Sequence, residues 1–409
     1  VTTPPVVFYG NCQMQVLAQA YEIFAAPHTG ERVLYVNAGG AHPDIARAGI
    51  VIDQITPMGD QAPIAGVPAG ARRLRVPVVE GAFLWPFSGE RHPDSLRRYP
   101  GYHPFSRELG DAWLLRAMAR GTAPDAAVAQ YLALDIGRAA HLDRRREIAL
   151  DLQRAREADT AYRFAPLIEK HVRTEPLFRT PYHLGSRLAR HMLLTLLDAI
   201  GAPPAARQAA ALYATTSLFG GSDLPVHPGV AAHFGLDWAG PGTRYAFWRE
   251  TMLNFEEWAH RFVRCEAYPE MDRAVDAVTR SLPGAPALLA AALAQLPDSP
   301  WGLRALAVLH LRANRFAEAL AAIERAVALH PDLAGAHATL HDCLLGLGRT
   351  KDAIDALREE IRRQPFRIPH RMRLARHLMA RGRGEEARAV LASVLALQPG
   401  HEQALRLSK

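Results

Sequence analysis

The sequence predicts two units in series: an α/β domain with a small parallel sheet and a large helical cover, then an all-α solenoid. Three observations carry this reading. Four short Val- and Ile-rich runs fall before Glu80. From Ser106 onward, apolar residues recur at the 3.6-residue spacing of amphipathic helices. Finally, Pro297, Pro331, Pro365 and Pro399 stand 34 residues apart, a period that belongs to stacked helical repeats. A chain of 409 residues is also too long for one ordinary core. The boundaries read as 1–265 for the front domain, 266–296 for connecting helices, and 297–409 for three repeats and a capping helix.

The strand-like runs are 6–9, 32–36, 50–54 and 74–79, each bounded by Gly or Pro as expected of buried strands. A helical pattern fills 13–24. Between the later runs helical signal is weak, so loops or short helices connect them. Further on, "DAWLLRAMARG", "DAAVAQYLAL", "RRREIALDLQRAREADTA", "FAPLIEKHV" and "SRLARHMLLTLLDAIG" all show helical spacing. "GAPPAARQ" interrupts, and "GGSD" at 220–223 is a turn signal. A Pro-punctuated loop, "LPVHPGVAAHFGL", and a last helix, "FEEWAHRFVRC", complete the unit. Pro269 and "EMDR" open the connection.

Within the array the phase is kept. The first unit carries Leu303, Leu306, Ala307, Ala319, Ile323 and Ala326, the second Leu340, Leu344, Ala353 and Leu357, and the third Leu374, Leu378, Ala387 and Leu391, so that Leu306, Ala319 and Ile323 each recur 34 residues on in both later units. Small residues at 319, 353 and 387 let paired helices approach closely. Proline ends each second helix because it lacks an N–H and clashes with the preceding turn. Ala285, Leu289 and Ala292 before Pro297 supply a preceding half unit. These units resemble tetratricopeptide (TPR) repeats. Such a stack makes a curved surface, which either docks a protein partner or serves self-association and bracing of the front domain.

Composition narrows the function classes. Hydrophobic residues make up 49% and charged residues 22%, as in globular proteins. No apolar run reaches membrane-spanning length, and the first residues show no basic, cleavable leader pattern. The three cysteines, Cys12, Cys265 and Cys343, form neither a disulfide framework nor a metal pattern. A reducing, cytoplasmic setting is expected, with no metal. The net charge of +7 comes almost wholly from Arg, whose planar fork pairs with phosphate and carboxylate. An anionic ligand such as a nucleotide-bearing cofactor or an acidic glycan fits. So does a bland alternative, in which the arginines only solvate helix faces. Nucleic-acid binding is disfavoured, because no aromatic-studded basic strand, zinc finger or Lys/Arg block is present.

One thiol stands apart. In "VVFYGNCQMQVLAQAY" a strand stops at Gly10 and a helix begins at Gln13, so Cys12 lies on the strand-to-helix corner. That corner is the carboxyl edge of the sheet, where open α/β folds bind ligands. The unpaired N–H groups and partial positive charge of a helix start favour thiolate over thiol, and can steady an oxyanion. Gly10 permits close backbone approach, while Asn11, Gln13 and, from the third run, Gln54 are candidate donors to an acyl carbonyl. Although the corner parallels a nucleophile elbow, "GNCQ" is not G-x-S-x-G. The opposing reading is a small buried hydrophobe, since Cys is among the most buried residue types.

"YGNCQMQVLAQA" resembles the opening signature of the WcbI-type polysaccharide biosynthesis acetyltransferases. In order along the chain, further segments resemble the same family: "VIDQI" with Gln54, "VPVVEGAFLWPFSGERHPD" with His92, Pro93 and Asp94, and "PLFRTPYHLGSRL" with Arg179, Thr180 and His183. "LPVHPGVAAHFGLDW" and "NFEEWAHRFV" follow. The resemblance spans about 6–263. In place of the family's His-Pro after the threonine, His183 is followed by Leu184. A second His-Pro-Asp, at 42–44, is read as a helix cap through Asp44.

The resemblance implies an SGNH-like edge site and a coenzyme A-dependent O-acetyltransferase of capsular or other surface-glycan assembly, in a bacterial cytoplasm. On that reading Cys12 is the centre of acyl transfer from acetyl-CoA, either through a thioester or by shaping an oxyanion site. His92 is the general base and Asp94 its orienting carboxylate. Gly10, Asn11, Gln13, Gln54, Ser106, Arg107, Arg179 and His183 line the cofactor site, and Lys170, His171, Arg187 and Arg190 are further candidates to hold CoA phosphates. The glycan is the acceptor. Two other classes remain open: a cysteine-dependent glycan esterase, and a non-catalytic assembly factor acting through its repeats.

Overall fold

The structure is a computed structural model describing residues 3–55, 64–213 and 222–409. Four strands, β1 (Pro5–Gly10), β2 (Arg32–Asn37), β3 (Ile50–Ile55) and β4 (Arg72–Pro77), form a parallel sheet in the order β2-β1-β3-β4. All four strand-like runs of the sequence are therefore strands. The chain leaves β1 to one side for β2, then returns past β1 for β3. This makes the crevice between the carboxyl ends of β1 and β3 the point where connections diverge, the preferred ligand position of such sheets.

Alternation along β1 sorts its side chains to opposite faces. Val6 and Phe8 join Ile52 and Val76 in the large core with Phe24, Phe105, Leu114, Leu193 and Phe262. Val7 and Tyr9 face a smaller cluster with Val36, Ile45 and Val51. The helix after β1, α1 (Cys12–Phe24), packs on the large-core face, its Tyr21 ring 5.5 Å from that of Phe8. Helices Ala112–Ala119, Pro124–Leu132, Leu142–Glu157, Phe164–His171 and Ser186–Ile200 supply most of the cover. A short antiparallel hairpin, β5 (Tyr245–Phe247) with β6 (Thr251–Leu253), has no counterpart in the sequence reading. It leads into helix Phe255–Arg264, whose start is held by a reciprocal Asn254–Glu257 capping box. The glycines of the expected 220–223 turn lie outside the described residues.

Behind the front domain come helix pairs Pro300–Arg312 with Phe316–Leu329, Ala336–Gly346 with Thr350–Arg363, and Ile368–Met379 with Gly384–Leu397, then the short Glu402–Leu407. Ala319, Ala353 and Ala387 are buried between the paired helices, and each repeat proline stands two residues beyond its helix. The half unit expected before Pro297 is helix Ala285–Gln295, and helix Pro269–Thr279 pairs with it. The array also touches the front domain. The Phe366 ring lies 5.8 Å from Phe24, Leu397 enters the front core, and Arg249 pairs with Asp272. Among the described residues no helix is long and apolar enough to cross a membrane.

Candidate active site

Cys12 is the first residue of α1, directly beyond the end of central β1, and is only half-buried. Asn11 caps the helix, its Oδ1 accepting from Gln13 N–H at 2.9 Å. The Asn11 N–H donates to Gln54 Oε1 at 2.9 Å. This tie needs a glycine at position 10: a Cβ there would stand 2.5 Å from Met14 Cγ and 2.7 Å from Gln54 Oε1. The ends of β1 and β3 are thus joined directly beneath the thiol. The Tyr35 hydroxyl, from β2, lies 3.2 and 3.3 Å from the carbonyls of Gly10 and Asn11.

Gln13 connects three segments. Its Oε1 accepts from Val79 N–H at 3.1 Å, and its Nε2 donates to the carbonyls of Val79 at 2.6 Å and Tyr182 at 2.9 Å. Gln54 Nε2 also points at Gln13 Oε1, 3.4 Å away. Both amides, expected as carbonyl donors, are spent within the protein. They position the site rather than offer hydrogen bonds to a substrate.

The carbonyl of Tyr182 belongs to a tight loop. Phe178 and Leu184 form an antiparallel bridge, Arg179 N–H donates to His183 O at 2.9 Å, and Gly185 N–H donates to Leu177 O at 2.7 Å. Gly81 N–H donates to Pro181 O at 2.8 Å, and a Cβ on Gly81 would strike the Phe178 ring. The loop is thereby fastened over the carboxyl edge, and it delivers His183 to a hydrogen bond with Cys12.

Behind the imidazole stands Glu108. His183 Nδ1 lies 2.9 Å from Glu108 Oε1 and 3.0 Å from Thr180 Oγ1, and the Thr180 hydroxyl donates to the same carboxylate oxygen. Burial works against a charged His183. The hydrogen bonds to Cys12 and Glu108, with the charges behind them, outweigh burial and carry its pKa up to about 10. For Glu108, burial favours the neutral acid, but the His183 bond and charge, Thr180 and the Tyr182 N–H prevail and hold its pKa down. Sulfur, imidazole and carboxylate form a chain in which one group orients the next, the arrangement of activated cysteine nucleophiles.

The base expected from the sequence is elsewhere. His92 is buried with its ring edge-on to Phe262, and its Nδ1 accepts from Asp94 N–H at 3.2 Å. Burial lowers its pKa. Asp94 turns outward to Arg97, 2.9 Å away. Neither is brought to Cys12. The physical reason recurs along the chain: His42 Nδ1 accepts from Asp44 N–H at 3.2 Å and His227 Nδ1 from Gly229 N–H at 2.9 Å. In these three of the chain's five His-Pro-x segments the imidazole caps the turn that proline opens. At 42–44 the cap is His42 itself, while Asp44 pairs with Arg32 at 2.8 Å.

Ser106 and Arg107 immediately precede Glu108. Arg107 Nε donates to Gly89 O at 2.9 Å, and its charge reaches Tyr182. Arg179, in the His183 loop, pairs with Asp223 at 2.5 Å. Arg187 is held by Glu175 and Arg190 reaches the Tyr213 carbonyl. Sequence reasoning missed Glu108 and Tyr35. An acid flanked by Phe105 and Leu109, directly after the singled-out Ser106 and Arg107, is the one local signal that could have drawn attention to Glu108. Beside His183 an apolar slot runs between α1 and helix Ser186–Ile200, lined by Val16, Ala20, Leu184, Ala189, Met192 and Tyr213 among others.

Comparison with known proteins bears on this geometry. Residues 6–205 match the family model described as polysaccharide biosynthesis enzyme WcbI. Residues 280–334, 304–368 and 344–408 match tetratricopeptide repeat models. Among solved structures, one of WcbI, described as native protein without a disulfide bond between CoA and a cysteine, is 13% identical. It has a TM-score of 0.46, with 75% of this chain and 99% of that chain covered. A structure of MamA is 17% identical with a TM-score of 0.30, over 35% of this chain and 82% of that one. The APC/C hetero-tetramer Cut9–Hcn1 gives 14% identity and a TM-score of 0.31, over 77% of this chain and 57% of that one. Among curated proteins none matches.

Proposed function

We propose that the chain is a CoA-dependent O-acyltransferase, since residues 6–205 match the model of the polysaccharide biosynthesis enzyme WcbI and tetratricopeptide repeat models match over 280–408. Its acceptor is a sugar hydroxyl of a surface polysaccharide, and acetyl-CoA is its simplest donor. The observation that carries this is the Cys12–His183–Glu108 chain at the start of α1. The CoA named with a cysteine in the WcbI structure is in keeping with it.

The chemistry follows from the residues. His183, hydrogen-bonded to the sulfur, receives the Cys12 proton as the sulfur becomes the nucleophile. The thiolate attacks the donor's thioester carbonyl. As the tetrahedral adduct collapses, the C–S bond to CoA breaks and His183 gives its proton to the departing thiolate. The acyl group is then on Cys12. Neutral His183 next takes the proton of the sugar hydroxyl as that oxygen attacks the acyl-cysteine, and the Cys12 thiolate leaves. Glu108 and Thr180 fix the ring and stabilise its charged form. The backbone N–H of Cys12, which meets no acceptor among the described residues, is aimed from the helix start at the developing oxyanion. Arg107 and Arg179, one residue before Glu108 and Thr180, take the CoA phosphates at the rim. The repeats, through Phe366 and Leu397, brace the domain that carries the site.

The test is intact-mass analysis of the protein after mixing with acetyl-CoA, together with transfer to a glycan acceptor. Wild type should gain one acetyl group on the peptide containing Cys12, and Cys12→Ala should gain none. His183→Ala should slow transfer by about 100-fold or more. Full transfer by Cys12→Ala would sink the proposal. Absence of CoA binding with ester hydrolysis intact would move the protein to the esterases.

A further inference from the structure

Tyr182 is the one aromatic among the large apolar side chains that stay exposed among the described residues, and 43% of it is accessible. Single exposed apolar residues are ordinary, but this ring stands at the site. Tyr182 directly precedes His183, so the two Cα atoms are about 3.8 Å apart. Its hydroxyl feels the charges of Glu80, Glu108 and Arg107. Its backbone is tied on both sides: the N–H donates to Thr180 Oγ1 at 3.4 Å and serves Glu108, and the carbonyl accepts from Gln13 Nε2 at 2.9 Å. The ring is thus held out to solvent from a fixed mount. Glu80 projects from the segment to which this loop is fastened. It lies between Val79, held by Gln13, and Gly81, which donates to the Pro181 carbonyl. Arg156, its side chain only 10% exposed, donates twice to Glu80 Oε2 at 3.3 Å. The other oxygen, Oε1, meets no partner among the described residues.

We infer that Tyr182 and Glu80 form the acceptor subsite, with the Tyr182 ring stacked on the C–H face of a pyranose and Glu80 accepting a hydrogen bond from one of its hydroxyls. The inference rests on the acyltransferase reading of the same site and names how that site takes its acceptor. A pyranose presents an apolar C–H face and a rim of hydroxyl donors, so a flat apolar partner with a carboxylate beside it is complementary. His183 takes the proton of the hydroxyl that attacks the acyl-cysteine, so the sugar ring lies next to His183, where Tyr182 stands. The other flat partner at hand is the adenine of CoA. The whole pantetheine arm separates adenine from the thioester, so a ring beside the base is too close to the reacting carbonyl to meet it. Because the mount is already ordered, little freedom is lost when the sugar docks.

The experiment measures affinity for methyl glucoside, methyl galactoside and methyl mannoside by saturation-transfer NMR, in wild type, Tyr182→Phe and Tyr182→Ala. At least one glycoside should bind wild type with saturation on the C–H protons of one face. Tyr182→Phe should keep this contact, and Tyr182→Ala should weaken it by about tenfold. Glu80→Gln, which keeps the shape and loses the charge, should weaken it by about fivefold. In parallel, intact mass follows loading of Cys12 by acetyl-CoA and its discharge. Tyr182→Ala should load within about twofold of wild type and discharge to the bound glycoside about tenfold more slowly, with discharge to ethanol, which has no face to stack, unchanged. Binding and discharge that ignore Tyr182→Ala would overturn the inference. So would a loss of CoA affinity as large as the loss for the glycoside, or no contact with any of the three sugars. If glycosides bind through Tyr182 yet no acetyl group reaches Cys12, the subsite stands and the acyltransferase reading falls.

Discussion

His183 is a charged imidazole in a half-sheltered site, and its ionisation is coupled to folding. Its folded pKa of about 10 lies above the ~6.5 of an unfolded histidine. The folded state therefore holds the extra proton. Its contribution to stability is complete below about pH 6.5 and is lost as pH rises through the folded value. The urea midpoint should fall across that window, and His183→Gln should remove this part of the slope. His92 is the contrasting residue, a neutral cap packed on Phe262. His92→Ala should destabilise the fold by about 2–4 kcal/mol through the lost ring and cap, while kcat of the folded enzyme stays within about twofold. Denaturation and steady-state rates, measured together, check both halves of that expectation.

Two elements, α1 and the 177–185 loop, meet through Gln13, which reaches Tyr182 across 169 residues of sequence. Together with the Gly81–Pro181 bond, this side chain therefore holds the His183 loop against the start of α1. Gln13→Ala would leave the Val79 N–H and two carbonyls without their partner, at a cost of roughly 1–3 kcal/mol. It should also lower kcat by at least about tenfold, because misplacement of a base by an ångström is costly. If the fall in kcat vanished at temperatures where the variant is fully folded, the positioning role would be wrong. At β1, Gly10→Ala would drive Gln54 off the Asn11 N–H and should weaken both the sheet edge and the placement of Cys12.

Across the whole molecule, the repeat array is fastened to the domain it follows. Phe366 and Leu397, both on the array, join the front core near Phe24. A free peptide-docking module would not need such anchors. Phe366→Ala should lower the unfolding free energy by about 1–3 kcal/mol and should lower the melting temperature of the front domain as well as the repeats. Two separate transitions, with only the repeat transition moved, would mean the units are energetically independent. The arginines follow the bland expectation over much of the surface: Arg154, Arg358 and Arg383 lie in exposed ion pairs on helix faces.

What the sequence determined by itself were the features written in short windows. The four strands, α1, the 34-residue phase and the corner that holds Cys12 each follow from periodicity, a glycine or a proline within a few residues. The His-Pro-Asp at 92–94 is just as visible, but a capping imidazole and one that meets a thiol share the same local letters. Only the tertiary structure decided which histidine meets the thiol and which acid stands behind it. Cys12, Glu108 and His183 lie on three separate segments, and their meeting depends on the sheet order, on Gln13 and on a loop pinned by Gly81. Contacts of that kind are set by how elements pack, and no window of sequence contains them.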